Sequence, residues 1–158
     1  MTAPRALEGE IVARGRKVAI VAAKFNDFIV ASLLKGATAA WLEHGGLTED
    51  LLIARVPGAF ELPVVARKLA LSGRYDAVVA LGCVIRGDTP HFEYVSGESA
   101  RGLQLASLET GVPVIFGVLT VETVEQALER AATTEGNKGG EAMAAALEMA
   151  SLMASLSS

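Results

Sequence analysis

The chain has 158 residues, which suits one domain with a substantial buried core. A net charge of −4 gives no general attraction for nucleic acid, and the apolar stretches are too short to cross a membrane. The single Cys83 excludes an intramolecular disulfide framework, and two histidines beside it leave little for a zinc site.

The first residues, MTAPRALEGE, lack a basic segment followed by an apolar core, so no signal peptide is expected. A reducing, cytoplasmic location fits the lone cysteine. Residues 1–16 read as an arm whose sizeable apolar groups are Leu7, Ile11 and Val12. It suits either a short edge strand or a tail that pairs with another subunit. Residues 17–23 (KVAIVAA) predict the first core strand. The turn Lys24-Phe25-Asn26-Asp27 leads into a helix over residues 27–44, with Val30, Leu33, Ala37 and Trp41 near helical spacing. Gly45-Gly46 ends it.

Residues 51–56 (LLIARV) predict the second strand and 57–61 (PGAFE) its turn. The next helix runs to about residue 72, and Pro63 restricts its start to residues 60–62, because proline fits only in a first turn. The apolar run 77–81 predicts a third strand covered on both faces. After the polar loop Arg86-Gly87-Asp88-Thr89, Thr89 suits an N-cap and Pro90 a first helical position. His91 therefore falls in the first turn of a helix that ends near Gly111. A fourth strand over 112–119 (VPVIFGVL), a helix over 120–132, a polar break over 133–140 and a last helix over 141–156 complete the chain.

Four alternations of strand and helix predict an α/β fold. The expected form is a three-layer αβα sandwich around a four-stranded parallel, flavodoxin-like sheet, with right-handed crossovers and the N-terminal arm strand ahead of it. No internal repeat or long linker divides residues 1–158, so one domain is expected.

Strand-to-helix turns of a parallel sheet open on one edge, where such folds bind ligands. The turns read here are Phe25-Asn26, 58–61, 83–91 and 116–120. Phe25, Phe60 and Phe116 give that edge three aromatic faces for a flat polar ligand, and Glu61, Arg86 and His91 give it charge and proton chemistry. Each group also has a structural reading: Phe60 as a helix staple, Phe25 as core, Glu61 as a dipole partner, His91 as an ordinary first-turn residue. Arg130 and Lys138 suit either solvent or an anion, the arginine through a bidentate fork. No Walker loop, no G-x-G-x-x-G after the first strand and no G-x-S-x-G is present, which argues against nucleotide folds and α/β-hydrolases.

Taken in order, Phe25-Asn26-Asp27, Val56-Pro57-Gly58-Ala59-Phe60-Glu61, Gly82-Cys83-Val84-Ile85-Arg86-Gly87, Thr89-Pro90-His91-Phe92, residues 113–120 (PVIFGVLT) and Gly136-Asn137-Lys138-Gly139 resemble the lumazine synthase family. The resemblance spans residues 9 to 153. It implies condensation of 5-amino-6-(D-ribitylamino)uracil with 3,4-dihydroxy-2-butanone 4-phosphate, the penultimate step of riboflavin synthesis, with no cofactor and no metal. It implies that Phe25 stacks on the pyrimidine, that Ala59, Phe60 and Glu61 line the ribityl pocket, and that Cys83, Val84 and Ile85 meet the ring through backbone groups. Gly87, Asp88 and Thr89 would seat the phosphate at a helix N-terminus. The Asp88 carboxylate would oppose an anion unless it caps the helix, so Thr89 is the better side-chain ligand. His91 is implied as the proton-transfer residue. Phe116 and the phosphate-binding Arg130 would come from a neighbouring subunit, with Lys138 as an addition. The partners implied are the two small-molecule substrates and copies of the chain, in a ring of five that some members pack as twelve rings into a shell. Association with riboflavin synthase is a further implied partner. Residues 132–135 (ATTE) replace a glycine- and lysine-containing turn associated with shells, which counts against the shell. A lumazine- or flavin-binding or shell-forming homologue without catalysis is the alternative; retention of His91 and Arg130 together favours the enzyme.

Overall fold

The computed structural model describes residues 3–132 and 136–157. Its centre is a four-stranded parallel sheet of β1 (Val18–Ala23), β2 (Leu51–Val56), β3 (Ala77–Ile85) and β4 (Val114–Val121), in the order β2-β1-β3-β4. β1 and β3 are apolar and buried along nearly all their length, as central parallel strands must be. The helices are α1 (Asp27–Glu43), α2 (Leu62–Leu71), α3 (His91–Thr110), α4 (Val124–Arg130) and α5 (Lys138–Ser157).

Two separate cores follow from the strand period. Val18, Ile20, Ala22, Val79 and Leu81 face a core shared with α1 and α5, around Leu33, Trp41, Met143 and Leu147. Val21, Ala23, Val78 and Ala80 face the other core, shared with α2 and α3 through Leu62, Ala66 and Leu103. This is the predicted sandwich. Right-handed crossovers explain the division: the chain leaves β1 in one direction and returns past it to reach β3, so α1 lies on one face and α2 and α3 on the other.

Several boundaries differ from the sequence expectation. β3 continues to Ile85 and β4 to Val121, because the two pair residue for residue up to Ile85 and Val121. Thr120 and Val121 are thus strand, where β-branched residues fit well. The expected helix over 120–132 shrinks to the seven residues of α4. Its start is set by Thr123, whose Oγ1 accepts from the Gln126 N–H at 3.1 Å. Phe116, which the sequence puts both in the strand 112–119 and in the turn 116–120, lies inside β4 opposite Ala80.

Lys138 was expected in a break and stands instead in the first turn of α5. Asn137 makes this possible: its Oδ1 accepts from the backbone N–H of Gly139 at 2.8 Å and of Gly140 at 3.0 Å. Its Nδ2 donates to Ser32 O and Ala131 O. A side chain on Gly139 would run into the Leu33 carbonyl, so the glycine read as a breaker is what lets α5 close on α1. Residues 133–135, most of the turn that bears on shell formation, lie outside the described residues.

The arm carries no helix or strand within its own chain over residues 3–13. It runs across the last helix, with the Glu10 N–H on Ser151 Oγ at 3.0 Å, and the Ala13 N–H on His44 O at 3.0 Å. Leu7, Ile11 and Val12 remain exposed. So do Leu52 and Ile53 of the edge strand β2. In α3, a side chain on Gly102 would run into the Pro63 ring, so that glycine lets α3 lie close on α2, whereas Gly97 faces open space.

Candidate functional site

β1 and β3 are neighbours whose outgoing connections part to opposite faces of the sheet, which leaves a crevice beyond their carboxyl ends. A cleft of about 710 Å³ lies there. The β1–α1 turn brings Phe25, 72% exposed, to its wall. Asn26 holds that turn in the left-handed region, at φ 61°, which Asn tolerates better than most residues. Its side-chain amide donates to Cys83 O at 2.8 Å and so ties the turn to the end of β3. Arg55 braces it from β2, with its Nη2 3.1 Å from Asp27 Oδ1 and its Nε 3.3 Å from Ala22 O.

The β2–α2 connection, with a 3-10 turn over Ala59–Glu61, places Ala59, Phe60 and Glu61 on the same cleft. Phe60 is 57% exposed. A large aromatic ring left in water beside a second one is a ready platform for a flat ligand. Cys83, Val84 and Ile85 supply the floor at the end of β3. The Cys83 side chain belongs to the core beneath α1 and α5, so its contribution to the cleft is backbone. Burial pushes its thiol up to about 11, which keeps it protonated and unreactive at neutral pH.

The β3–α3 loop adds Gly87, Thr89 and His91. Thr89 Oγ1 accepts a long bond, 3.4 Å, from the His91 N–H, and α3 begins at His91, one residue later than the cap pattern predicts. Asp88 does not line the cleft. Asn26, Pro57, Gly58, Phe92, Tyr94 and Val95 do, although they were not among the residues singled out as ligands. Tyr94 and Val95 follow His91 at helical spacing, a signal the sequence carried. Pro57 and Gly58 belong to the turn 57–61 that the sequence already puts at this edge.

Phe116, Arg130 and Lys138 are not in this cleft. They line a second one of about 380 Å³ along β4, together with Thr120 and Glu141, and the two clefts share no residue. Phe116 is 45% exposed there. Lys138 Nζ sits 3.3 Å from Glu141 Oε1, and Arg130 Nη1 donates to Gln126 O at 3.3 Å.

An open parallel sheet, with aromatic faces, one carboxylate and an imidazole gathered at its switch-point cleft, defines an α/β protein with a cleft of ligand size where such folds bind small molecules. A family model for 6,7-dimethyl-8-ribityllumazine synthase matches residues 15–154. The chain belongs to that family, and a lumazine-synthase type of function in riboflavin synthesis follows from it. Among the described residues no group of three or more His, Cys, Asp or Glu side chains is placed to hold a metal ion, and no helix is long and apolar enough to cross a membrane.

Proposed function

We propose that the chain condenses 5-amino-6-(D-ribitylamino)uracil with 3,4-dihydroxy-2-butanone 4-phosphate, giving 6,7-dimethyl-8-ribityllumazine, phosphate and water. One observation carries this reading. The stacking rings Phe25 and Phe60, the carboxylate Glu61 and His91 share one cleft, while the cations Arg130 and Lys138 share another with Phe116. A reaction between a flat neutral heterocycle and a phosphorylated ketone needs both sets. Two copies of the chain, the first cleft of one facing the second cleft of the next, supply them.

In this reading the pyrimidine stacks on Phe25, and Glu61 accepts hydrogen bonds from the ribityl hydroxyls. The phosphate rests between Thr89 of one subunit and Arg130, with Lys138 beside it, of the next. The 5-amine attacks the ketone and water leaves as the imine forms. A proton is then removed from the carbon next to the imine as the bond to phosphate breaks. The resulting enol returns to a ketone, the ribityl-bearing nitrogen attacks it, and a second water leaves as the ring closes. Every step moves a proton, and histidine is the side-chain type that exchanges protons in both directions near neutrality. His91 takes that role. Holding two reactants together in one cleft supplies much of the remaining acceleration.

Assembly is part of the proposal. An edge strand with exposed Leu52 and Ile53 and an arm with exposed Leu7, Ile11 and Val12 are complementary apolar surfaces, and an arm that adds as a strand satisfies the unpaired edge. A ring of five is the expected product. Mixing the two substrates and following phosphate release with the appearance of the lumazine chromophore tests the reaction. Binding of the chromophore with no phosphate release would favour a non-catalytic binding protein instead. Light scattering that gave a monomer would refute the shared site.

A further inference from the structure

Arg86 follows directly on β3 and lines neither cleft. Its backbone N–H donates to Val121 O at 2.9 Å, which carries the β3–β4 pairing one step past the strand end. Its guanidinium makes three further contacts. Nη1 lies 3.2 Å from Glu93 Oε1, Nε lies 2.7 Å from Glu122 Oε2, and the central carbon lies 4.6 Å from the centroid of the Phe92 ring. One exposed ion pair contributes little stability. Here a single planar group joins three parts of the fold: the end of β3, the first turn of α3, and the β4–α4 connection.

Each anchor is itself held. Phe92 is partly buried against the core beneath α2 and α3. The Glu122 N–H donates to Gln126 Oε1 at 2.7 Å within the capped start of α4. The two residues that follow His91 are therefore clamped. The residues between Arg86 and His91 are held less firmly: Gly87 faces open space, residues 87–91 are exposed, and the side-chain bond there, from the His91 N–H to Thr89 Oγ1, is long at 3.4 Å. With only that long bond and the Pro90 carbonyl, which accepts from the Glu93 N–H at 3.0 Å, on its N-terminal side, His91 owes its place chiefly to what grips Phe92 and Glu93.

We propose that Arg86 is a positioning residue, which holds the first turn of α3 against the end of β4 so that the His91 imidazole keeps one place over the cleft. The inference rests on His91 being the proton-transfer residue. Arg86→Ala should lower kcat between about tenfold and a hundredfold, the range expected when a catalytic group drifts by about an ångström. KM for the ribitylamino pyrimidine should stay within about twofold, because its platform is Phe25. Arg86→Lys should recover only part of kcat, since lysine keeps the charge but not the fork or the flat stack. Arg67→Ala, which removes the exposed Arg67–Glu109 pair, should leave kcat unchanged.

A second readout does not need turnover. The chain has two histidines, so protein carrying 13C-labelled histidine shows His91 beside an internal reference, His44, at the far end of α1. Arg86→Ala should move or broaden the His91 Cε1–H signal and leave that of His44 unchanged. If Arg86→Ala does not assemble, Glu122→Gln cuts one arm of the clamp, and the same pattern is expected at about a threefold loss of kcat. An unchanged kcat, or an unmoved His91 signal with only a lowered melting temperature, would overturn the proposal. If the wild-type chain released no phosphate, the proposed reaction would fail, while the His91 signal would still decide whether Arg86 places that turn.

Discussion

The cleft at the sheet edge and the cleft along β4 are built in opposite ways. The first takes its walls from three strand-to-helix turns, which converge because parallel strands all end on the same side. Its working side chains stand ready: among the described residues Glu61 and His91 enter no ion pair. The second takes its walls from the middle of an edge strand, the end of α4 and the start of α5. Its cations are occupied locally, Lys138 with Glu141 and Arg130 with the Gln126 carbonyl. Stacking and proton chemistry are thus separated from positive charge within one chain. In the proposed reaction an anionic substrate would bring the two together across a subunit boundary, and competition with an exposed intrahelical contact would cost it little.

The largest effect should come from removing the proton carrier. His91→Ala should lower kcat about a hundredfold, the low end for a positioned acid–base group, since imine chemistry also has an uncatalysed route. KM for both substrates should change little; a change confined to KM would move His91 from chemistry to binding. Arg130→Ala comes next, with KM for the phosphorylated butanone raised about tenfold or more, as loss of a charge-assisted hydrogen bond worth roughly 1.5–3 kcal/mol requires. Binding of the pyrimidine should be unaffected. The sharper form of this test mixes the two variants. Rings reassembled from His91→Ala and Arg130→Ala subunits should regain activity, because some boundaries then carry an intact residue on each side. No recovery in rings shown to be mixed would mean that both clefts serve one chain.

Phe25→Ala should have a smaller effect, several-fold on KM for the pyrimidine, since an aromatic stack contributes about 0.5–1.5 kcal/mol beyond area. Titration calorimetry with the pyrimidine alone would measure it, and an unchanged affinity would move the stacking role to Phe60. The smallest effect concerns the floor of the first cleft. The Cys83 thiol is raised to about 11 in the folded chain, above the usual value near 8.5. Its contribution to stability is therefore full below about pH 8.5 and is lost as pH rises towards 11. Denaturant midpoints should fall over that window with a slope of at most about 1.4 kcal/mol per pH unit from this group, and Cys83→Ala should flatten the fall. The native thiol should also resist alkylation at neutral pH; rapid labelling of folded protein would contradict its burial.

Most of the first cleft was legible in the chain because its residues are turn residues. A short apolar run, a turn signalled by Asn26-Asp27 or by glycine and proline, and a helix start identify where each strand ends. The parallel alternation then sends Phe25, Phe60, Glu61 and His91 to one edge without further information. The boundaries around β4 were not legible in this way. Thr120 and Val121 suit a strand end or a helix approach equally well, and only pairing with a nine-residue β3 decides between them. Gly139-Gly140 reads as a break until α1 is seen close against it, with Asn137 capping the first turn.

Local pattern, then, was enough to determine four strands, their helices, and the residues at the switch-point edge. Periodicity and turn chemistry act within a few residues and leave their mark in order along the chain. The family resemblance already divided the candidate ligands between neighbouring subunits; within one chain only the tertiary structure showed where each half lies. Phe116, Arg130 and Lys138 come from a strand interior, a helix end and a helix start that lie up to 22 positions apart in sequence, counting from 116 to 138. Nothing local tells such residues that they share a wall. The same holds for Arg86, whose partners Phe92, Glu93 and Glu122 are brought together by the register of β3 against β4. Long-range packing chooses these neighbours because the cores on both faces of the sheet leave the strands one way to pair.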